Sequence, residues 1–402
     1  MYINMSKLQD CHTTPFSGAT VSLRLLCRFH HDVRGICVAD PKDNGKRPDN
    51  MRIAFPLARR ALGIFAQFFA GNAGKLAVAG ALLLLTTIPS SRAETVAGYD
   101  IIVVAGQSNA AGAGIPDRNA QPHGGQFDDR IMQVGRFGRK NHQVIPVPDV
   151  SEVQPGDGLE HWGKPRRSRT RTGFSRAFAE HYAASVLHAD RQVLIVPAAR
   201  GSTSISEWIG DPDFVPRKRA AAPLYRDMIE RVRTALQQPG DNRVVAFLWH
   251  QGEADINRTR RGDPAMDAAR YERALRGLLS GVQRDIPGTY PIVLGKYTPD
   301  WLANNSAGLR TKRQFERVLE AIAADSGRIG LVATAGLQSN YGAGLTDRRG
   351  QQVHFSGPAA AELGGRYFTV WACILAAHGI AQQLASPSCP SLVIGKTWAQ
   401  PN

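Results

Sequence analysis

Residues 99–114 read Y-D-I-I-V-V-A-G-Q-S-N-A-A-G-A-G. The apolar run 101–105 is rich in β-branched side chains and is closed by a glycine, which is the pattern of a strand buried on both faces. It stops at Gly106-Gln107-Ser108-Asn109 and gives way to small residues at 110–114. Ser108 is therefore expected on a tight turn at the carboxyl end of a buried strand, the edge at which open α/β sheets bind their ligands. A serine there is placed to act as a nucleophile, and its small neighbours let a carbonyl approach. The alternative is a plain helix cap, since serine is a favoured N-cap residue.

Beyond this stretch the chain alternates. Amphipathic or apolar helical patterns are read at 173–187, 224–236, 264–282, 309–324 and 356–378, and apolar strand runs at 193–196, 243–249, 292–294 and 329–333. Such alternation predicts a parallel sheet with helices on both faces. Between 115 and 172 the chain is polar and rich in Gly and Pro, with room for short strands at 131–134 and 144–147. The run 164–171 holds five basic residues in eight; it reads as a solvated loop or as a contact to an anionic ligand.

The polar motifs fall at the ends of these strands. Gly106-Gln-Ser-Asn109 follows the first, Arg200-Gly-Ser202 the second and His250-Gln-Gly-Glu253 the third, while His354 precedes the last helix. In a parallel sheet the first three lie along one edge, and His354 can return to it. Together they supply the parts for acyl transfer: Ser108 as nucleophile, His354 as base, and the backbone N–H groups of Ser108 and Gly201 with the Gln251 amide as oxyanion donors. Glu253 and Asp255 could instead cap a helix or pair with an arginine, and Asp255 is read as structural. Asn109, Arg200 and Trp208 are candidates to line a substrate site; Trp208 and Tyr297 could equally be packing residues. Metal-ligand spacing of His, Cys and carboxylates is absent from the sequence, so no metal is expected.

The motifs G-Q-S-N (106–109), W-H-Q-G-E-A-D (249–255) and V-H-F (353–355), with the Gly201 turn, resemble those of SGNH-type hydrolases. Within that group they resemble the branch of sialate O-acetylesterase-like proteins and the acetylxylan esterases of carbohydrate esterase family six. The turn is not the G-x-S-x-G elbow of α/β-hydrolases, because Ala110 stands at the second glycine. The resemblance covers about 95–370. It implies a three-layer α/β/α sandwich, flavodoxin-like, in which the strand runs read above make a five-stranded mainly parallel sheet. It also implies a cofactor-free serine esterase acting on O-acetyl groups of sugars, such as sialic acid or a xylan-like glycan. Many members carry an aspartate two or three residues before the histidine; here Gln351 and Gln352 occupy those places. Asp347 is seven residues upstream, so Glu253 is the expected partner orienting His354. An esterase for another acyl ester, or a catalytically silent carbohydrate-binding protein on the same fold, are the alternatives.

Composition bounds the rest. The 402 residues are 43% hydrophobic and 21% charged, as expected of a globular protein. Of the net charge of +15, +7 lies in the first 93 residues, which hold 12 basic and 5 acidic side chains. The moderately basic remainder suits solubility or acidic glycans and does not indicate a nucleic-acid partner. The apolar segment 76–88, preceded by basic residues and followed by Ser91-Arg92-Ala93, fits a signal peptide over 51–93 with cleavage after Ala93. The competing reading is an uncleaved anchor; on the favoured one, membrane contact is limited to the leader. Residues 1–50 read as an untranslated or disordered leader, with translation from Met51. The expected esterase domain is 94–385, followed by a tail at 386–402, in a protein exported to the periplasm or beyond the cell. Cys11, Cys27 and Cys37 fall in the leader; Cys373 and Cys389 remain, either as a disulfide or as two unrelated thiols.

Overall fold

The computed structural model describes residues 96–116, 129–136, 141–147, 171–210, 224–303, 306–380 and 389. The expected leader, most of the basic run at 164–171 and most of the tail lie outside them. The elements run β1 (Gly98–Gly106), α1 (Ser108–Ala111), β2 (Ile131–Val134), β3 (Val144–Pro146), α2 (Ser175–Ser185), β4 (Arg191–Pro197), α3 (Ile205–Ile209) and α4 (Leu224–Leu236). The chain continues through β5 (Arg243–His250), α5 (Glu253–Arg260), α6 (Ala268–Asp285), β6 (Ile292–Gly295), α7 (Pro299–Ala303), α8 (Ser306–Ala324) and β7 (Ile329–Val332). A 3-10 turn (Arg349–Val353) leads into α9 (Gly357–Ala377).

The sheet has seven strands in the order β3-β2-β4-β1-β5-β6-β7. All pairings are parallel except β2 with β3. The five-strand expectation is thus corrected to seven: the two short strands of the polar region join the sheet beyond β4, where edge strands of three or four residues carry little apolar signal. β1 is central. Ile101, Val103 and Ala105 face one core, with Met228 and Val232 of α4, Leu275 of α6 and Phe315 of α8. Ile102 and Val104 face the other, with Phe178 of α2 and Leu363 and Trp371 of α9. The double-sided apolar run is thereby explained, and the α/β/α layering follows.

Helix starts sit where a cap is available. α6 begins at 268, later than the expected 264, because Asp267 accepts a bond from the Arg270 N–H at 2.7 Å. α9 begins after Ser356, whose Oγ accepts from the Ala359 N–H. Cys373 of α9 is bonded to Cys389, with Cα atoms 5.8 Å apart, so the disulfide alternative holds. Among the described residues no helix is long and apolar enough to cross a membrane.

At the amino edge of the sheet Asp100 is fully buried. Its carboxylate accepts from Tyr182 Oη at 2.7 Å, Arg191 Nε at 2.9 Å and Arg243 Nε at 2.8 Å. This cluster joins β1, α2, β4 and β5 at the end of the sheet opposite Ser108.

Candidate active site

β1 runs between β4 and β5, so the chain departs to either side of it, and a crevice forms at its carboxyl end. Gly106 permits that end to close up: its φ is +128°, and a Cβ there would lie 2.1 Å from the His250 carbonyl oxygen. The Gln107 N–H donates to that same oxygen at 2.9 Å. The buried Gln107 side chain accepts from the Ala254 N–H at 3.1 Å and lies 3.5 Å from the Gly252 N–H. It thus caps α5 from the turn after β1 and supplies orphan amides of that helix with an acceptor. Ser108 then opens α1, where its own N–H has no partner one turn back.

His354 reaches this point from the far end of the chain. Its Nε2 lies 3.0 Å from Ser108 Oγ. The loop carrying it is pinned on both sides: the Asn340 N–H donates to the His354 carbonyl at 2.8 Å, the Ser356 N–H to Gln338, and the Gly357 N–H to Ile115. Gly201, at the turn after β4, faces the serine; a Cβ there would be 3.8 Å from Ser108 Cβ. The next residue, Ser202, has φ +62°, a left-handed conformation uncommon for a non-glycine residue.

The other sequence candidates fall differently. Glu253 does not orient His354. Its Oε1 accepts from Asn109 Nδ2 at 2.7 Å, and its nearest histidine is His250, at 3.9 Å. His354 Nδ1 instead lies 3.0 Å from Gln351 Oε1. The reason is local: in a 3-10 turn side chains at i and i+3 eclipse, so Gln351 comes to rest over His354. Asp347 is exposed on the preceding loop. Gln251 is not an oxyanion donor: it is fully buried, and its Nε2 is taken by Asp255 Oδ2 and by the Thr203 carbonyl at 3.1 Å. Asp255 accepts also from the Ile205 N–H at the start of α3.

Asn109 is a clamp rather than a surface contact. Its Nδ2 donates to Glu253 and to the Val353 carbonyl at 2.9 Å, and its Oδ1 accepts from the Phe355 N–H at 3.2 Å. It therefore holds the residues on either side of His354. Trp208 is core, packed edge-on to Trp249 with ring centroids 4.9 Å apart, and Tyr297 is likewise buried. Of the sugar-site candidates among the described residues, only Arg200 is exposed, beside the Gly201 turn.

Burial sets the electrostatics. It pushes the His354 pKa down to about 4, with the Arg171 guanidinium adding to the effect. The deeper His250, whose Nδ1 meets Tyr367 Oη at 3.0 Å, falls to about 3. Burial drives Glu253 and Asp255 up to about 7 against the bonds from Asn109 and Gln251. Nothing among the described residues groups three or more His, Cys, Asp or Glu side chains as a metal site. What the arrangement can do is move a proton from Ser108 Oγ to a neutral imidazole, with the Gly201 turn alongside the serine.

Sequence reasoning overlooked Gln351, Asn340 and Gln107. Gln351 carried a signal, since it occupies the place of the expected aspartate; the other two are visible only once distant segments meet.

Over residues 98–372 the chain matches the family described as "Carbohydrate esterase, sialic acid-specific acetylesterase". It is 30% identical over 183 residues to an Escherichia coli K12 protein named "Probable 9-O-acetyl-N-acetylneuraminic acid deacetylase", covering 39% of this chain and 54% of that protein. The chain thus spans about half the length of this curated relative. Solved structures similar to it include an Arabidopsis thaliana protein, with TM-score 0.49 and 18% identity over 68% of this chain and 98% of the other. Another is the crystal structure of NanS, with TM-score 0.45 and 21% identity over 70% of this chain and 98% of the other.

Proposed function

Since this chain belongs to the sialic acid-specific acetylesterase family of carbohydrate esterases, we propose that it removes O-acetyl groups from sugars through an acetyl-enzyme on Ser108. The observation that carries this reading is the 3.0 Å contact of Ser108 Oγ with His354 Nε2 at the carboxyl edge of β1. Ser108 Oγ attacks the acetyl carbonyl as His354 Nε2 takes its proton. The oxyanion develops against the N–H groups of Ser108 and Gly201. The proton on Nε2 then passes to the departing sugar hydroxyl, and water, activated by the same nitrogen, releases acetate. The Arg171 charge that acts on His354 and the exposed Arg200 beside the Gly201 turn suit an acidic sugar such as sialic acid.

A chain-length series of aryl esters, with fluorophosphonate labelling, tests this. Preference for acetate and loss of labelling in Ser108→Ala support it; activity that rises with acyl length, or a Ser108 that stays unlabelled in folded protein, overturns it. Export rests on the leader pattern at 51–93. N-terminal sequencing of the mature protein is expected to begin at Glu94, and retention of the leader would sink that part.

A further inference from the structure

The third position behind the Ser108–His354 pair holds an amide. We propose that Asn340 and Gln351 are positioning residues that fix the His354 tautomer by an uncharged relay anchored on two backbone groups. The inference rests on the Ser108–His354 reading above.

The relay can be followed from groups whose polarity is not open to choice. The Ile115 N–H is a donor, and it lies 2.7 Å from Asn340 Oδ1. That makes the other end of the Asn340 amide its NH2, which donates to the Ala113 carbonyl at 3.0 Å. The same NH2 lies 3.2 Å from the terminal amide of Gln351. A donor facing a donor is repulsive, so Gln351 must present its oxygen there. That Oε1 is also 3.0 Å from His354 Nδ1, and an oxygen with no proton requires a donor opposite it. Nδ1 is therefore the protonated nitrogen and Nε2 the bare one, 3.0 Å from Ser108 Oγ. Asn340 is itself fully buried and joined through its backbone to the His354 carbonyl, so it cannot turn without moving the loop.

During attack the Ser108 Oγ–H proton passes to Nε2 as the Oγ–carbon bond forms, and the Nδ1 proton stays in its bond to Gln351. The ring becomes cationic with no carboxylate against it. Arg171, ahead of α2, opposes that charge; Asn109 holds Glu253 away from the ring; and Arg348 and Arg349, before and in the 3-10 turn that leads to His354, are exposed. A Gln351→Glu variant keeps the chain length and adds an anion at Nδ1. The acid limb of its kcat/KM profile for 4-nitrophenyl acetate is expected to move up by about one pH unit or more. Gln351→Leu is expected to lower kcat by between about 10²- and 10⁴-fold, the contribution of a correctly protonated general base, with KM little changed.

Asn340 acts by orienting an amide, and a carboxylate has no wrong way round. Asn340→Ala should therefore lower kcat in the native background and have little effect on top of Gln351→Glu. An equal loss in both backgrounds, or an unmoved acid limb in Gln351→Glu, overturns the relay. Should Asn340→Ala fail to fold, the two Gln351 variants decide alone. Fluorophosphonate labelling of the native protein separates the readings: an unlabelled Ser108 removes the esterase mechanism, whereas labelling with an unmoved acid limb removes only the relay.

Discussion

Ser108 and His354 meet because each is held by residues whose side chains do no chemistry. Asn109 follows the serine directly and bonds to both neighbours of the histidine, so one side chain ties the two halves of the pair. Glu253 is bonded to Asn109 and not to His354. The neutral state of His354 has a consequence for rate. A base must be unprotonated, and with a pKa pushed down to about 4 the free enzyme keeps it so through most of the acid range. We expect kcat/KM to stay level from neutral pH down to about pH 5 and to fall as pH drops through about 4. A half-maximal point near 6.5 would show that the ring is not desolvated. Ser108→Ala should cost at least about 10³-fold in kcat, read with an aryl acetate.

At the scale of elements, the long ones follow the sequence periodicity and the short ones follow their neighbours. α4 matches its expected span, since thirteen residues carry several turns of apolar spacing. α1, α3, α5 and α7 are four to eight residues long and carry too few turns for a periodic signal. Two of them start where a distant residue caps them: α5 is capped by Gln107 of another segment, and α3 by Asp255 together with its own capping box at Ser204. α9 is tied to Cys389 across a sequence separation of 16. A loop of that size is worth about 3 kcal/mol in chain entropy. Cys389→Ser should lower the urea midpoint by a corresponding amount, and an unchanged midpoint would show that the bond adds nothing to stability.

At the scale of the molecule, the two ends of β1 divide the work between anchoring and chemistry. Asp100→Ala strips the carboxylate from beneath two arginines and a tyrosine, and about 3 kcal/mol or more of stability should go with it, measured by denaturant titration. At the other end two buried histidines and two buried carboxylates oppose each other. The histidines, held below 6.5, bind protons more weakly folded than unfolded, so their contribution is lost as pH falls below about 6.5. Glu253 and Asp255, raised to about 7, stay protonated in the fold after the unfolded chain has ionised, so their contribution is lost as pH rises from about 4 to 7. Glu253→Gln removes one of the latter. Its melting temperature relative to the native protein should rise between pH 4 and 7 and level off above; a gap constant with pH would refute the assignment. The alternation of apolar runs and helical periods determined the layered α/β architecture. The placing of Ser108, Gly201 and His354 at strand or helix boundaries determined that they could meet, because a parallel sheet brings such ends to one edge whatever the loops do. Which groups stand behind them was decided only by the tertiary structure. A hydrogen bond needs its partners within about 3 Å and in line. Whether Gln351 or Glu253 reaches His354, and whether Gln251 is free or consumed by Asp255, depends on turn geometry that spacing in sequence does not encode.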